Sequence, residues 1–424
     1  MMKRSISRRH FVGQSLLLSA PLVLPGSVLG LDGTAPASEK IILGGIGINH
    51  RGGYDLGFFL DQPDVRFAGI ADVAKTRRIK VKAQAEGAQG TNDVAMYRDF
   101  RDLLDRKDVD AVLIATGDRW HAHASIWSAR AGKDVYSEKP CAISIDLCKK
   151  LAETMKLYGT VFQGGTQRRN VRNFRYACEL ARTGKLGKIH TVHASIYYLT
   201  HLTDWLPEQP LPDREEFDWD LWLGPAPWRP FNEAYAGVGK SNWSAWRGHY
   251  DFDSGCRHLD WGAHTVDLCQ WALGMDGTEP VKYWAEGNRM FATYENGVQL
   301  VMRPDGWLGL GTCPVRFEGS EGWVETGDSG KMLLSNDSLQ CVYGDIEGTN
   351  PRYHIRNFLD CVKTREQPTC CADVIRSSHI ACHASALSWL LGRELQFDPK
   401  TESFVNDDEA NRLRARASRE PWVL

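Results

Sequence analysis

At 424 residues, with 51 basic side chains against 53 acidic ones, the chain is too long for one ordinary core and too evenly charged to carry a nucleic-acid footprint. No basic run is interleaved with aromatics, so no nucleic-acid partner is expected. The 11 cysteines are odd in number and show no C-x-x-C spacing, which points to buried thiols and not to a disulfide framework or a zinc ribbon.

At the N-terminus, Ser7-Arg8-Arg9-His10-Phe11-Val12 precedes an apolar, uncharged run from Leu16 to Leu31 and a Gly/Pro/Ala/Ser-rich linker. This resembles a twin-arginine export signal, so residues 1–37 are expected to be signal and linker, with cleavage after Gly30 or Ala37. The resemblance implies an exported, periplasmic protein that meets the twin-arginine machinery. The run is too short and too Pro-broken for a permanent membrane span.

The chain is organised around Lys40 to Gly53, KIILGGIGINHRGG. Ile41, Ile42 and Leu43 read as a buried parallel strand, the glycines as a tight turn, and Tyr54 to Leu60 as a helix start. Gly45 and Gly47 give G-x-G, but His50 stands where a third glycine is usual and the next glycine is Gly52. Val65 to Ala71 forms a second apolar strand closed by Asp72, placed to bond the ribose hydroxyls of a dinucleotide and to favour NAD over NADP. Gly45, Gly47, Asn49, His50, Arg51 and Asp72 are therefore candidate cofactor contacts.

Strands and helices then alternate, which predicts a doubly wound parallel sheet over residues 38–160. Helices are expected at Thr76 to Ala85 and Tyr97 to Leu104, and a central strand at Asp110 to Ala115. Thr116, Gly117, Asp118, Arg119, Trp120 and His121 follow at its carboxyl end, where open α/β sheets place ligands, so Thr116, Asp118, Trp120 and His121 join the candidates. A helix from His121 to Arg130 and a strand from Asp134 to Tyr136 lead to Glu138-Lys139-Pro140. Glu138 and Lys139 are expected at the cofactor.

The strand, the G-x-G turn, Asp72, the T-G-D-x-W-H loop and Glu138-Lys139-Pro140 together resemble the Gfo/Idh/MocA oxidoreductase family. Gln163 to Arg169, Asp218 to Pro225, Asp260 to Asp267 and His354 to Thr364 extend the resemblance through everything after Ser38. It implies an NAD(P)-dependent enzyme acting on CH-OH groups of sugars or polyols, built as a Rossmann domain followed at 161–424 by an α+β domain with an open, largely antiparallel sheet. A homo-oligomer and a small carbohydrate substrate are the implied partners. The sequence agrees in outline, with a linking helix at Ser144 to Tyr158 and strand-like runs at Lys188 to Tyr198, Val281 to Glu286, Val298 to Arg303 and Pro314 to Gly319. Trp205 to Trp246, crowded with Pro and Trp, reads as a segment that folds over the site, and of two late helices, Asn357 to Lys363 and Ile375 to Leu391, the second is expected to brace the first domain.

Oxidising a sugar hydroxyl needs a base on the oxygen, a hydride acceptor at the carbon and a charge that steadies the alkoxide. Lys139, Asp260 and His264 suit this chemistry, and the family places such a lysine, with an Asp and a His four apart, in its active site. His264 would take the proton, Asp260 would orient it, and Lys139 would donate to the oxygen. An isolated D-x-x-x-H is as readily an N-cap and a packed histidine. The turn before it, Asp253-Ser254-Gly255, departs from the family's glycine-richer form, which bears on substrate fit more than on catalysis. Gln167, Arg168 and Arg169 are candidate substrate contacts or plain surface charges. No metal site is expected from His258, Asp260 and His264, and His379 and His383 read as structural. Tyr198 and His201 are similar to a pair in family members that hydrolyse glycosides through transient oxidation by a tightly bound NAD, which is the alternative to net hydride transfer.

Overall fold

The computed structural model describes Pro36 and residues 39–237, 245–340 and 350–424; the expected export signal lies outside the described residues. β1 (Ile41–Ile46), β2 (Val65–Ala71), β3 (Ala95–Tyr97), β4 (Ala111–Ile114), β5 (Asp134–Ser137) and β6 (Phe162–Gly164) form an all-parallel sheet in the order β3-β2-β1-β4-β5-β6. The order reverses between β1 and β4, the crevice where such sheets bind nucleotides. β4 is buried along its whole length, as its unbroken apolar sequence requires with helices on both faces, and β5 beside it is buried throughout although it begins with Asp134 and ends with Ser137. Between the strands run α1 (His50–Leu60), α2 (Lys75–Gln89), α3 (Phe100–Leu104), α4 (Asp118–Arg130) and α5 (Ile145–Tyr158).

Two boundaries differ from the sequence reading for identifiable reasons. α1 begins at His50 and not near Tyr54, because Gly52 lets its first turn lie against β4: a Cβ there would sit 2.6 Å from the Ala115 Cβ. The helix expected from Tyr97 starts at Phe100, because the Asp99 side chain caps it by accepting from the Arg101 N–H at 3.0 Å, while Tyr97 ends β3.

The second sheet contains β7 (Ile189–Ser195), β8 (Lys282–Glu286), β9 (Arg289–Thr293), β10 (Gln299–Arg303), β11 (Val315–Gly319), β12 (Gly322–Thr326), β13 (Met332–Leu334), β14 (Leu395–Asp398) and β15 (Ser403–Phe404). Its order is β13-β12-β11-β7-β10-β9-β8-β14-β15, antiparallel throughout except for the central β7/β10 pair. α6 (Arg172–Arg182) and a helix over Leu259–Leu273 share its main core, in which Phe174, Val266, Leu300 and Phe317 are fully buried.

Between β7 and that helix the chain makes a long strap containing α7 (Trp219–Leu223) and α8 (Glu233–Ala236); the helix at Leu259–Leu273 is α9. The strap has its own aromatic core of Phe217, Trp219, Trp222, Phe231, Tyr235, Trp246 and Phe252. Main-chain bonds tie it to the first domain, from the Lys75 N–H to the Glu216 carbonyl at 2.9 Å and from the Asp218 N–H to the Val73 carbonyl at 3.1 Å.

Two late helices follow, α10 (Arg352–Thr364) and α11 (Ala372–Leu391), and then a short α12 (Asp408–Arg412). The sequence reading gave the bracing of the first domain to the second of the pair. α11 does so: it packs along α5, its Ala372 and Ile375 enter the core beside β5 and β6, and His379 and His383 bond the main chain at Cys141 and Ala142. α10 braces the domain as well, with Ile355, Phe358 and Leu359 in the core of Phe59 and Tyr136. Arg356 and Lys363 of α10 both pair with the Asp64 carboxylate, at 2.8 and 2.6 Å, and hold its pKa down at about 2 against 3.8. A depressed carboxylate stabilises the fold above its ordinary pKa, and this contribution fades as pH falls through the folded value. Asp64→Asn is therefore expected to cost about 1–2 kcal/mol at pH 7 after solvent screening, and the difference from the parent in urea unfolding should shrink between about pH 5 and pH 2.

Candidate active site

A cavity of about 520 Å³ opens where the carboxyl ends of β1, β2, β4 and β5 face α9 and the strap, within the usual size of a small-ligand site. Gly47, Asn49, His50 and Arg51 line it from the first turn, Asp72 from β2, Thr116, Asp118, Trp120 and His121 from the β4 loop, and Glu138 and Lys139 from the β5 end. Gly47 has φ +68°, and a Cβ there would lie 2.3 Å from the Thr116 Cγ2, so the turn and the β4 loop meet only because the side chain is missing. Gly45, expected at the cofactor, does not line the cavity; it backs onto Phe67.

The cavity fits a dinucleotide. The Asn49 side chain makes no capping bond, which leaves the first N–H groups of α1 for an anion such as a pyrophosphate. Asp72 is buried at the end of β2, its Oδ1 accepting from the Ala74 N–H at 2.8 Å with Arg77 Nη1 at 4.0 Å; burial raises its pKa and Arg77 opposes that. The strap covers this end, with Trp222, Tyr235, Ala236, Gly237 and Trp246 all on the cavity wall. Arg77 donates to the Ala236 carbonyl at 2.5 Å, Arg119 to the Trp222 carbonyl at 2.8 Å, and Trp120 Nε1 to the Leu221 carbonyl at 2.8 Å.

Other expected cofactor residues act at one remove. His121 is buried with one ring nitrogen 2.6 Å from the Pro140 carbonyl and the other 3.0 Å from that of Thr116, so it ties the β4 and β5 loops together. Asp118 accepts from the Ser254 N–H at 3.2 Å, and burial pushes its pKa up. Glu138 lies 3.5 Å from Arg51 Nε, and the same guanidinium holds Asp55 at 2.9 Å. Burial and the neighbouring Glu138 push the Asp55 pKa far up.

Lys139 and His264 meet in this cavity from opposite domains. Lys139 Nζ donates to the main-chain carbonyl of Asp260 at 2.6 Å, and burial lowers its pKa. His264, one turn further along α9, is buried; its Nδ1 has no hydrogen-bond partner among the described residues. Burial, followed by the nearby Arg168, Lys139 and Arg51 cations, drives its pKa well below 6.5, so the imidazole is neutral at neutral pH. Asp260 is neither the N-cap nor the partner of His264. Its carboxylate is taken by Arg247 and by Arg257 Nε, the latter at 3.2 Å. Helical spacing gave the shared turn but not these arginines, which lie in no motif.

The substrate candidates divide. Gln167 and Arg168 line the cavity. Gln167, with its amide turned to suit its neighbours, donates to the Gly165 carbonyl at 2.7 Å and accepts from Arg51 Nη2 at 3.1 Å. Arg168 is clamped by Asp328 at 2.9 and 2.6 Å, with its Nη1 buried and unpartnered among the described residues. Arg169 is a structural cation, bonded to Asp267 at 2.7 Å and to Asp276 at 2.6 Å. Tyr198 and His201 do not line the cavity: β7 ends at Ser195, so strand alternation no longer sets their direction, and both are exposed. Their neighbour Tyr197 does line it, packed against Trp261 at 4.5 Å between ring centroids. His379 and His383 bond the main chain of the 141–142 loop, as structural histidines do. All ten cysteines among the described residues are free, and all but Cys371 are buried.

A nucleotide-binding sheet whose ligand edge is closed by a second, mostly antiparallel sheet defines a two-domain dinucleotide-dependent oxidoreductase scaffold. The chain belongs to the Gfo/Idh/MocA oxidoreductase family: its NAD-binding Rossmann fold model matches residues 43–166, and its C-terminal alpha/beta domain model matches residues 190–424. A curated relative, the glycosyl hydrolase family 109 protein of Shewanella pealeana, is 30% identical over 170 residues, which span 35% of this chain and only 37% of the relative. Among solved structures, the WlbA dehydrogenase of Bordetella pertussis, in complex with NADH and UDP-GlcNAcA, superposes with TM-score 0.60 at 18% identity over 85% of this chain and 99% of that one. The aldose-aldose oxidoreductase of Caulobacter crescentus, complexed with glycerol, gives 0.59 at 17% identity over 84% and 100%. At such identities these two likenesses concern the fold.

Proposed function

We propose that the protein is an NAD-dependent oxidoreductase that removes hydride from a hydroxyl-bearing carbon of a sugar or polyol, working with a nucleotide it retains. The observation that carries this reading is the meeting of Lys139 and His264, from different domains, in the cavity that the glycine turn opens onto. NAD held by the first turn, Asp72 and the β5 end would supply the hydride acceptor.

His264 receives the hydroxyl proton, and its neutral state keeps it in the accepting form. Lys139 Nζ, anchored on the Asp260 carbonyl, donates to the oxygen as its charge grows. The strap and α9 wall the cavity on the substrate side. Asp260 acts through its arginines, fixing the cationic rim of the substrate half.

The cofactor assigned is NAD in preference to NADP. A 2′-phosphate would meet the Asp72 carboxylate, while Arg77 is engaged with Ala236 and Arg98 with Glu215 and Asp218. Protein stripped of nucleotide is expected to bind NAD more tightly than NADP, and its NAD form to be reduced by members of a sugar and polyol panel. Tighter NADP binding would reverse the first assignment, and no reduction by any member would reverse the second. A second reading, a redox-neutral hydrolysis with the nucleotide regenerated in place, draws on the partial likeness to a glycosyl hydrolase family 109 protein. Tyr198 and His201, the pair that suggested it, stand outside the cavity, and release of an aglycone without net NADH separates the two readings. Export through the twin-arginine route rests on residues 7–31 and is part of the same proposal.

A further inference from the structure

Arg119 stands second in α4, where a side chain folds back over the helix start, and it is only 2% exposed. Its guanidinium lies between the Trp222 ring, 3.5 Å from the ring centroid, and Gly117, where a Cβ would come within 2.5 Å of Nη1. Nε donates to the Trp222 carbonyl at 2.8 Å. Nη1 is buried with no hydrogen-bond partner among the described residues.

No described carboxylate pairs with this cation. Of the acids on the cavity wall, Glu138 faces Arg51, Asp260 faces Arg247 and Arg257, Asp328 holds Arg168, and Asp72 stands nearest Arg77. Asp118 attracts Arg119 from beyond ion-pair reach, its carboxylate turned to the Ser254 N–H, while Arg77 repels it. A guanidinium is costly to bury unless an anion completes its hydrogen bonds. The place where Arg119 lies suits one. Gly47, Thr116, Gly117 and Arg119 all line the cavity, and the contact between Gly47 and Thr116 brings together the segments that lead into α1 and α4, neither of which has a side-chain cap.

We infer that Arg119 is a phosphate-binding residue whose Nη1 donates to the pyrophosphate of the bound dinucleotide while its Nε holds the strap through Trp222. Anion and closed strap then stabilise each other, because both draw on one guanidinium. This rests on the nucleotide site proposed above, and adds to it the residue that T-G-D-x-W-H leaves open and a link from the cofactor to the strap.

The test is calorimetric binding of adenosine, 2′-AMP, ADP and NAD to protein stripped of nucleotide. ADP is expected to bind the parent roughly tenfold or more tightly than adenosine. Arg119→Gln should lower ADP and NAD affinity by roughly tenfold while adenosine stays within about twofold, and Arg119→Lys, which keeps the charge, should lose less. Limited proteolysis reads the link: at saturation ADP should slow cleavage within the strap more than adenosine does, and in Arg119→Gln the two should protect alike. A thermal melt establishes that each variant is folded, and the proteolysis pair on the parent needs no variant. Equal protection by ADP and adenosine in the parent, an ADP-to-adenosine ratio unchanged in Arg119→Gln, adenosine falling together with ADP as a mere strut for the strap would give, or a loss confined to 2′-AMP each overturns the inference. A parent that binds neither ADP nor NAD removes the nucleotide reading as well, whereas an ADP preference independent of Arg119 removes the inference alone.

Discussion

His264→Ala is expected to lower turnover by roughly a hundredfold or more while nucleotide binding stays nearly intact, and Lys139→Ala to do the same. Both side chains line the cavity where the proposal puts the substrate oxygen, and the glycine turn and Asp72 that would hold the nucleotide make no bond to either. The two should separate in their pH dependence. Lys139 is held below its ordinary pKa by burial, so it loses its charge as pH rises through this lowered value, and the parent's rate should decline on the alkaline side. His264 is already neutral at neutral pH and adds no alkaline limb. Asp260→Asn should be milder than either, and its effect should fall on KM, because its carboxylate orders Arg247 and Arg257 and not the imidazole. Steady-state kinetics of the three variants on one substrate, with bound nucleotide assayed beside them, provide the check. Full activity in His264→Ala would move the base to Lys139, since His201 lies outside the cavity.

The second large effect concerns retention. NAD is expected to co-purify with the folded protein, survive extensive dialysis and support turnover without added cofactor. Free NAD should be scarce outside the cytoplasm, and the strap is bonded to the nucleotide domain at Lys75, Val73, Arg77, Arg119 and Trp120. Release therefore requires several bonds to open together, which slows dissociation, where most differences in affinity arise. Trp222 stacks on Trp219 at 4.5 Å, lies over Arg119 at 3.5 Å and forms part of the cavity wall. Trp222→Ala should speed nucleotide loss by roughly tenfold or more, and Trp222→Phe should largely prevent this. An empty parent protein that needs fresh cofactor for every turnover would defeat the idea.

Much of the first domain was legible because its signals are local. Apolar runs marked β2 and β4 nearly to the residue, and glycines marked the turn even though Gly52 does part of a third glycine's task two positions late. The second sheet was less legible. β9 was missed although Gly287-Asn288 between β8 and β9 is a hairpin signal, and β13 to β15 are short strands on the sheet's edges with too few residues to show a period. Lys139, His264 and Arg168 were found in sequence motifs. Arg247, Arg257 and Asp328 were not, because their place depends on how the strap and the β12–β13 turn return to the cavity, and no spacing along the chain encodes that. Arg169 shows the converse: a motif residue whose neighbours Asp267 and Asp276, far along the chain, make it a buried strut.

The placement of α10 bears on the order of events during synthesis. Phe59 and Tyr136, in the middle of the nucleotide domain, are covered by Phe358, and Trp120 and Trp127 by Trp422. A ribosome that has completed the six parallel strands has therefore released a domain with two open faces, which close only when the chain beyond residue 350 emerges. A fragment ending near residue 165 is therefore expected to expose two apolar faces that the chain beyond residue 350 covers in the whole molecule.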